Sequence, residues 1–283
     1  MEYYIKNNII KKPIIYHHGV RDDPDINVYI ESDTGTLVLD KIKEQEYEKK
    51  GFGYWSSEDI CEARKKTYDD DIRRYNQLSN VTCTSLLDFG CGNGGLLKII
   101  KDNKGNRINA IGIELNNELV KYLNSENIKT YCNINSIPTH ENFNCIMLNH
   151  VLEHLYDPIS TLKDIKKLMN TNTLLIIEVP HANDFLISEY NCDNFKKFTF
   201  WSEHLILYTE QSLIKLLNVV GFHNIKITYY QRYNIFNHLN WLSNGKPGGH
   251  KNNKFNDNDL IQSYNNFLIK NRKTDTLIAY CYI

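Results

Sequence analysis

The chain has 283 residues, 41% of them hydrophobic, and a formal net charge of −1. Such a length suits one sizeable domain with an appendage, and a charge this close to zero argues against nucleic acid as a partner, because phosphate binding normally requires a basic face. No apolar run reaches the roughly 18 residues of a membrane span, and the polar N-terminus does not resemble a signal peptide, so we expect a cytoplasmic protein without membrane contact.

The first 80 residues are rich in aromatic and charged side chains and show little periodicity, which predicts an N-terminal appendage or lid. Within them we expect a helix over 56–78, because Ser56 is a suitable N-cap and two acids follow in the first turn.

From residue 85 onward, short apolar segments alternate with amphipathic ones. The expected strands lie at 85–89, 109–115, 128–134, 143–151, 173–180, 223–231 and 276–283. The expected helices lie at 95–103, 117–126, 158–169, 210–221 and 259–272. This alternation is typical of an α/β fold with a doubly wound, mostly parallel sheet, here of seven strands. The domain prediction is a core over 81–235, an insertion over 236–272 and a final core strand within 273–283.

A glycine-rich turn, LLDFGCGNGGLL, connects the first expected strand to the first helix of this core. Gly90, Gly92 and Gly94 let the backbone turn tightly and approach a ligand closely. Gly95 completes a dinucleotide-binding pattern as well, so the glycines alone leave NAD open. Asp88 at the strand end disfavours a pyrophosphate and suits a cationic amino-acid group.

An acid followed by GxGxG resembles the first motif of class I S-adenosylmethionine (SAM)-dependent methyltransferases, which have a Rossmann-like fold. The resemblance implies SAM as the cofactor, with Glu114 accepting hydrogen bonds from both ribose hydroxyls. It places Asn133 or Ile134 against the adenine. Tyr54, in an aromatic segment before the core, is expected to cover SAM or stack on a sugar, with ordinary packing as the alternative.

The segment FNCIMLNHVLEHLYDP resembles the fourth strand and following turn of the same family. Asn149 and His150 are then expected to face SAM and the acceptor. The segment lacks the [DN]PP[YFW] motif of the adenine and cytosine amino-methylases. Glu153 and His154 are expected to support the turn, with direct chemistry as the alternative.

The segments IEVPHANDF and FTFWSEHLILYTEQSL resemble methyltransferases that act on nucleotide-linked deoxysugars. This resemblance places acid/base residues at Glu203 and His204, although a buried structural role is the alternative for His204. His181 and His150 are further candidates because each follows a strand whose carboxyl end faces the crevice. A histidine with an ordinary pKa near 6.5 is the natural proton acceptor.

The expected function is O-methylation of a sugar or sugar-linked group in capsule or other surface polysaccharide biosynthesis, with a small-molecule acceptor such as a nucleotide-sugar. C-methylation of a nucleotide-linked keto-sugar, a protein or RNA methyltransferase, and a non-catalytic SAM-binding protein are the alternatives. The seven scattered cysteines include no CxxC pair, and methyl transfer from SAM requires no Lewis acid. The sequence therefore predicts no metal and no disulfide framework.

Overall fold

The computed structural model of the protein describes residues 1–42, 56–103, 108–251 and 257–283. The strands are β1 (Pro13–His17), β2 (Val28–Glu31), β3 (Leu37–Leu39), β4 (Ser85–Phe89), β5 (Asn109–Ile113), β6 (Thr130–Tyr131), β7 (Cys145–Asn149), β8 (Leu174–Pro180), β9 (Ile206–Leu207), β10 (His223–Tyr230) and β11 (Thr276–Tyr282). The helices are α1 (Glu2–Lys6), α2 (Ser57–Asn80), α3 (Gly95–Asp102), α4 (Asn117–Ser125), α5 (Pro158–Lys167), α6 (Phe185–Ser188), α7 (Asp193–Thr199), α8 (Glu210–Val220), α9 (Ile235–Asn244) and α10 (Asn258–Lys270).

Within these ranges, seven strands form the main sheet in the order β10-β11-β8-β7-β4-β5-β6. Strands β4 to β8 pair in parallel, whereas β11 runs antiparallel to both β8 and β10. The central strands are almost continuously apolar because helices cover both faces of a parallel sheet. The predicted α/β fold with a mostly parallel seven-stranded sheet is confirmed.

The strand register positions the site. Asp88 pairs with Gly112 on β5 and Met147 on β7, and Asn149 pairs with Glu178 on β8. The carboxyl ends of four neighbouring strands therefore lie together, which is where ligands bind in open α/β sheets.

Two expected strands are shortened the most in the structure. The strand expected at 128–134 is reduced to β6, because the Asn133 side chain starts a 3₁₀ turn over Ile134–Ser136. The strand expected at 143–151 ends at Asn149, because His150 adopts a left-handed conformation with φ of 55°. Such a φ is uncommon for a residue other than glycine.

The domain prediction treated the first 80 residues as one appendage. In the structure they do not form one. Strands β1, β2 and β3 form a small antiparallel sheet with β9. The last of these lies much later in the sequence than the other three. Ser56 is the N-cap of helix α2 and forms a capping box with Asp59. Arg64 of this helix donates a hydrogen bond from Nε to the Asn93 carbonyl at 2.8 Å. The helix therefore lies against the glycine loop as part of the core.

Helices α9 and α10 lie between β10 and β11, where the sequence predicted an insertion. In the part of the chain that the structure describes, none of the helices combines the length and apolar character needed to cross a membrane.

Candidate functional site

Two adjoining cavities lie at the carboxyl ends of the parallel strands. The first has a volume of about 780 Å³ and extends from the glycine loop toward α9. The second has a volume of about 1040 Å³ and extends from Glu114 toward Trp201. Gly90 and His150 line both, so they mark where the cavities meet. Volumes of this size suit a cofactor and a small-molecule acceptor.

The glycine loop adopts the conformation that the sequence predicts. Gly90 and Gly94 have φ of 77° and 68°, and a Cβ on either would collide with Val151 or Leu123. At Gly92 a Cβ would meet nothing within 4 Å, because the backbone there faces open space in the first cavity. This loop therefore leaves room for a ligand beside its backbone.

Glu114 follows β5 and braces this loop. Its Oε2 accepts a hydrogen bond from the Gly92 backbone N–H at 2.9 Å, and its Oε1 accepts one from the Asn116 N–H at 2.9 Å. The side chain lines the second cavity. Each carboxylate oxygen retains a further lone pair, so the group can also accept two ligand hydroxyls.

Asp88 ends β4 beside the loop and is only 4% exposed. Burial above all, with the nearby Asp71, raises the pKa of Asp88 to about 7, although Arg74 partly offsets this effect. Asn149 donates a hydrogen bond from Nδ2 to the Asp88 carboxylate at 3.3 Å. A buried carboxyl with this pKa can ionise when a cationic ligand arrives.

The residues expected at the adenine are not brought to the cavities. Asn133 is exposed, and its side chain accepts hydrogen bonds from the Ser136 backbone and hydroxyl. Ile134 packs against the main core. Leu115, which the sequence did not single out, lines the second cavity instead. The predicted Tyr54 contact lies outside the described residues.

A charged cluster that sequence reasoning missed surrounds Glu178 on β8. The carboxylate accepts hydrogen bonds from Arg73 at 2.7 Å and Arg74 at 2.8 Å, both on α2. Burial raises the pKa of Glu178, but hydrogen bonding to His150 and the two arginine charges outweigh it and hold that pKa well below its usual range. The charged run DDDIRR on α2 is typical of a helix face in contact with solvent. The sequence therefore does not indicate that its arginines contact a buried carboxylate.

His150 is held between two carboxylates. Its Nδ1 lies 3.1 Å from Glu153 Oε1, and its Nε2 lies 3.3 Å from Glu178 Oε1. Burial and Arg232 lower the pKa of His150, but the two carboxylate hydrogen bonds outweigh them and raise it. With both nitrogens occupied, His150 is poorly suited to the role of general base that the sequence allowed.

His181 lies just past β8, is 2% exposed and lines the first cavity. Its Nδ1 lies 2.9 Å from the Thr274 carbonyl oxygen, so Nδ1 carries the proton and Nε2 the lone pair. Burial lowers the pKa of His181 to about 4. The ring is therefore neutral at cellular pH, with a defined tautomer.

His204 lines the first cavity and Glu203 the second, so the two residues expected to be acid/base groups lie at different cavities. Burial lowers the pKa of His204 to about 3, whereas the sequence suggested an ordinary value near 6.5. Burial also raises the pKa of Glu203. The Glu203 backbone carbonyl accepts a hydrogen bond from His154 Nδ1 at 2.9 Å.

Folding also brings Glu153, His154 and His204 together. One nitrogen or oxygen atom from each lies within 4.8 Å of the other two. The sequence did not predict this cluster: Glu153 and His154 were expected to support a turn, with direct chemistry as the alternative, and neither was connected with His204.

A protein family described as "Methyltransferase domain" matches residues 54–227. Among proteins with curated descriptions, no sequence matches this chain significantly.

Similar solved structures are methyltransferases. The plantazolicin methyltransferase BpumL in complex with SAH is 15% identical with a TM-score of 0.51, over 84% of this chain and 92% of that one. The plantazolicin methyltransferase BamL is 13% identical with a TM-score of 0.50, over 82% and 92% of the two chains. A SAM-dependent methyltransferase from Archaeoglobus fulgidus is 18% identical with a TM-score of 0.49, over 75% and 94%. For the two plantazolicin methyltransferases, the likeness at these identities shows a shared fold.

Proposed function

Because the chain belongs to the methyltransferase-domain family and is a SAM-dependent methyltransferase, we propose that it methylates a hydroxyl group of a sugar or a sugar-linked group. Such an acceptor fits the cytoplasmic biosynthesis of capsule or other surface polysaccharides. The observation that carries the proposal is the composition of the first cavity, which begins at the glycine loop and is lined by both hydrogen-bonding and aromatic side chains.

SAM is proposed to lie across the junction of the two cavities. Asp88 receives its ammonium group, and Glu114 accepts hydrogen bonds from its ribose hydroxyls. The open space beside Gly92 accommodates the ligand against the loop backbone. The methionine end then points into the first cavity, beside Asn149 and His150.

The acceptor is proposed to occupy the part of the first cavity that reaches α9. Trp241, Phe195 and Phe198 contribute aromatic side chains to the lining, while Asp70 and Arg232 contribute charged groups. A sugar presents both apolar C–H faces and hydroxyl groups, so a wall of rings and polar groups suits it. Arg232 is held by Asp70 at 2.6 Å, which fixes its guanidinium in the cavity wall.

His181 is the proposed proton acceptor. In the reaction, an acceptor oxygen attacks the SAM methyl carbon as the bond from sulfur to that carbon breaks. The electron pair of that bond stays on sulfur, which leaves SAH, and the hydroxyl proton passes to His181 Nε2. His181 is preferred to His150 because its Nε2 is the acceptor nitrogen of a neutral ring, whereas both nitrogens of His150 face carboxylates.

The acceptor class is tested by incubating the full chain with SAM and a panel of nucleotide-linked sugars, a peptide mixture and RNA. SAH release and a gain of one methyl group, located by NMR, identify the product. We expect an O-methyl resonance on a sugar. A methyl group on carbon, or methylation of peptide or RNA alone, would contradict the proposal.

His181→Gln tests the base. Removal of a general base typically lowers turnover by about 10²–10⁴-fold, while SAM affinity should stay within about twofold of the wild type. His223→Gln is the matched control, because His223 is an exposed histidine on β10. Unchanged turnover in a folded His181→Gln protein would remove His181 from this role.

A further inference from the structure

Three side chains able to bind metals meet in the wall between the two cavities. Glu153 and His154 belong to the 3₁₀ turn after β7, and His204 belongs to the loop before β9. One potential ligand atom from each lies within 4.8 Å of the other two. We propose that Glu153, His154 and His204 form a binding site for one divalent transition-metal ion.

The hydrogen bonds around His154 orient it as a ligand. Its Nδ1 donates to the Glu203 carbonyl at 2.9 Å, so in the neutral ring Nε2 carries the lone pair. That Nε2 lies 3.8 Å from Glu153 Oε1. Metal-binding histidines commonly donate their second ring N–H to a carbonyl or carboxylate, which fixes the tautomer in this way.

Glu153 offers a buried negative charge that its neighbours only partly satisfy. The residue is 0% exposed, and its Oε1 faces His150 Nδ1 at 3.1 Å. Its Oε2 is buried and has no hydrogen-bond partner within the described ranges. Buried carboxylate oxygens are normally paired, because desolvation without a partner is costly. A cation at the cluster would supply that partner.

His204 contributes a second buried atom of this kind. Its Nδ1 also has no hydrogen-bond partner among the residues that the structure describes. The His204 ring lies against His154, with 4.9 Å between ring centroids. Two lone-pair donors from separate segments are thus adjacent to the same carboxylate, and one ion can satisfy all three.

Two imidazoles and one carboxylate suit Zn²⁺, Mn²⁺ or Co²⁺ better than Mg²⁺, which prefers oxygen ligands throughout. Zinc lies about 2.0–2.2 Å from such ligands, so their donor atoms are then roughly 3.5 Å apart. The cluster therefore needs to contract by no more than about 1.5 Å on binding. Three protein ligands leave at least one coordination position open.

The open position has access to both cavities, since Glu153 and His204 line the first and His154 lines the second. An acceptor oxygen bound there would lose its proton to a base more readily, because a metal ion polarises it. This last role rests on the proposed function, whereas metal binding itself does not. This proposal departs from the expectation from the sequence that no metal is needed.

The test is titration of the metal-stripped full chain with Co²⁺, followed by visible absorption, and with Zn²⁺, followed by calorimetry. We expect one ion per chain. Loss of an outer hydrogen-bond partner typically weakens metal binding about 10–100-fold, so loss of a ligand in His204→Ala or Glu153→Gln should weaken it at least about 100-fold. His140→Ala removes an exposed histidine away from the cluster and should bind as the wild type does.

Thermal unfolding with and without Zn²⁺ provides a second readout. The wild type and His140→Ala should be stabilised by the ion, and the ligand variants should not. A wild-type chain that binds neither ion in a 1:1 ratio would overturn the proposal, even where a variant does not fold. Ligand variants that bind as tightly as the wild type would also overturn it. Neither result affects the test with the panel of acceptors, because that experiment measures methyl transfer and not metal binding.

Discussion

The pKa of Asp88 makes SAM binding sensitive to pH in a defined direction. Burial raises this pKa to about 7, so the free protein holds Asp88 mostly protonated below pH 7. The ammonium group of SAM requires the carboxylate. Affinity should therefore rise as pH increases from 5 to 7, while the α-amino group, with an ordinary pKa of about 7.7–8.0, stays charged.

The size of the effect follows from the ionised fraction. With a pKa of about 7, roughly 1% of Asp88 is ionised at pH 5, so the apparent dissociation constant should be about 50–100-fold larger there than at pH 7 to 7.5. Calorimetry across this range measures it. Asp88→Asn should bind weakly and lose this pH dependence, whereas Asp164→Asn, which replaces a partly exposed acid on α5, should keep it. A wild-type affinity that is independent of pH from 5 to 7 would show that SAM binding does not require ionised Asp88.

Two further predictions concern carboxylates. Glu114→Ala should weaken SAM binding at least tenfold, because hydrogen bonds to a charged acceptor contribute about 1.5–3 kcal/mol each; an unchanged affinity in a folded protein, measured by calorimetry, would remove the ribose assignment. Burial and Asp275 raise the pKa of Asp184 to about 8, so the folded state keeps a proton that the unfolded chain releases near pH 4. Its contribution to stability therefore falls as pH rises from about 4 to about 8, and Asp184→Asn should remove that slope in denaturant unfolding; an identical slope in both proteins would contradict this.

The main sheet could be predicted because its signals are local. Each strand is a short apolar segment. The glycine loop and Glu114 directly follow strands, so their positions in the sequence place both at the carboxyl edge of the sheet. The Ser56 cap is also local, since its partner Asp59 is three residues away. Parallel-sheet topology then determines which ends meet.

The charged interior could not be predicted in this way. Arg73 and Glu178 are separated by 105 positions, and only the packing of α2 across the strand ends brings them together. The small sheet was missed for a similar reason, since its edge strand β9 has two residues and pairs with the distant β3. The low pKa of His204 comes from burial, which the sequence offered only as the alternative to an acid/base role.

We propose that SAM binds at Asp88 and the glycine loop. Calorimetric titration of the full chain with SAM, and separately with NAD, tests this most directly. Asp88 beside the loop suits the SAM ammonium group and opposes the NAD pyrophosphate. We expect one SAM bound per chain with saturable, micromolar affinity, and no measurable binding of NAD. Saturable NAD binding without SAM binding would contradict this proposal.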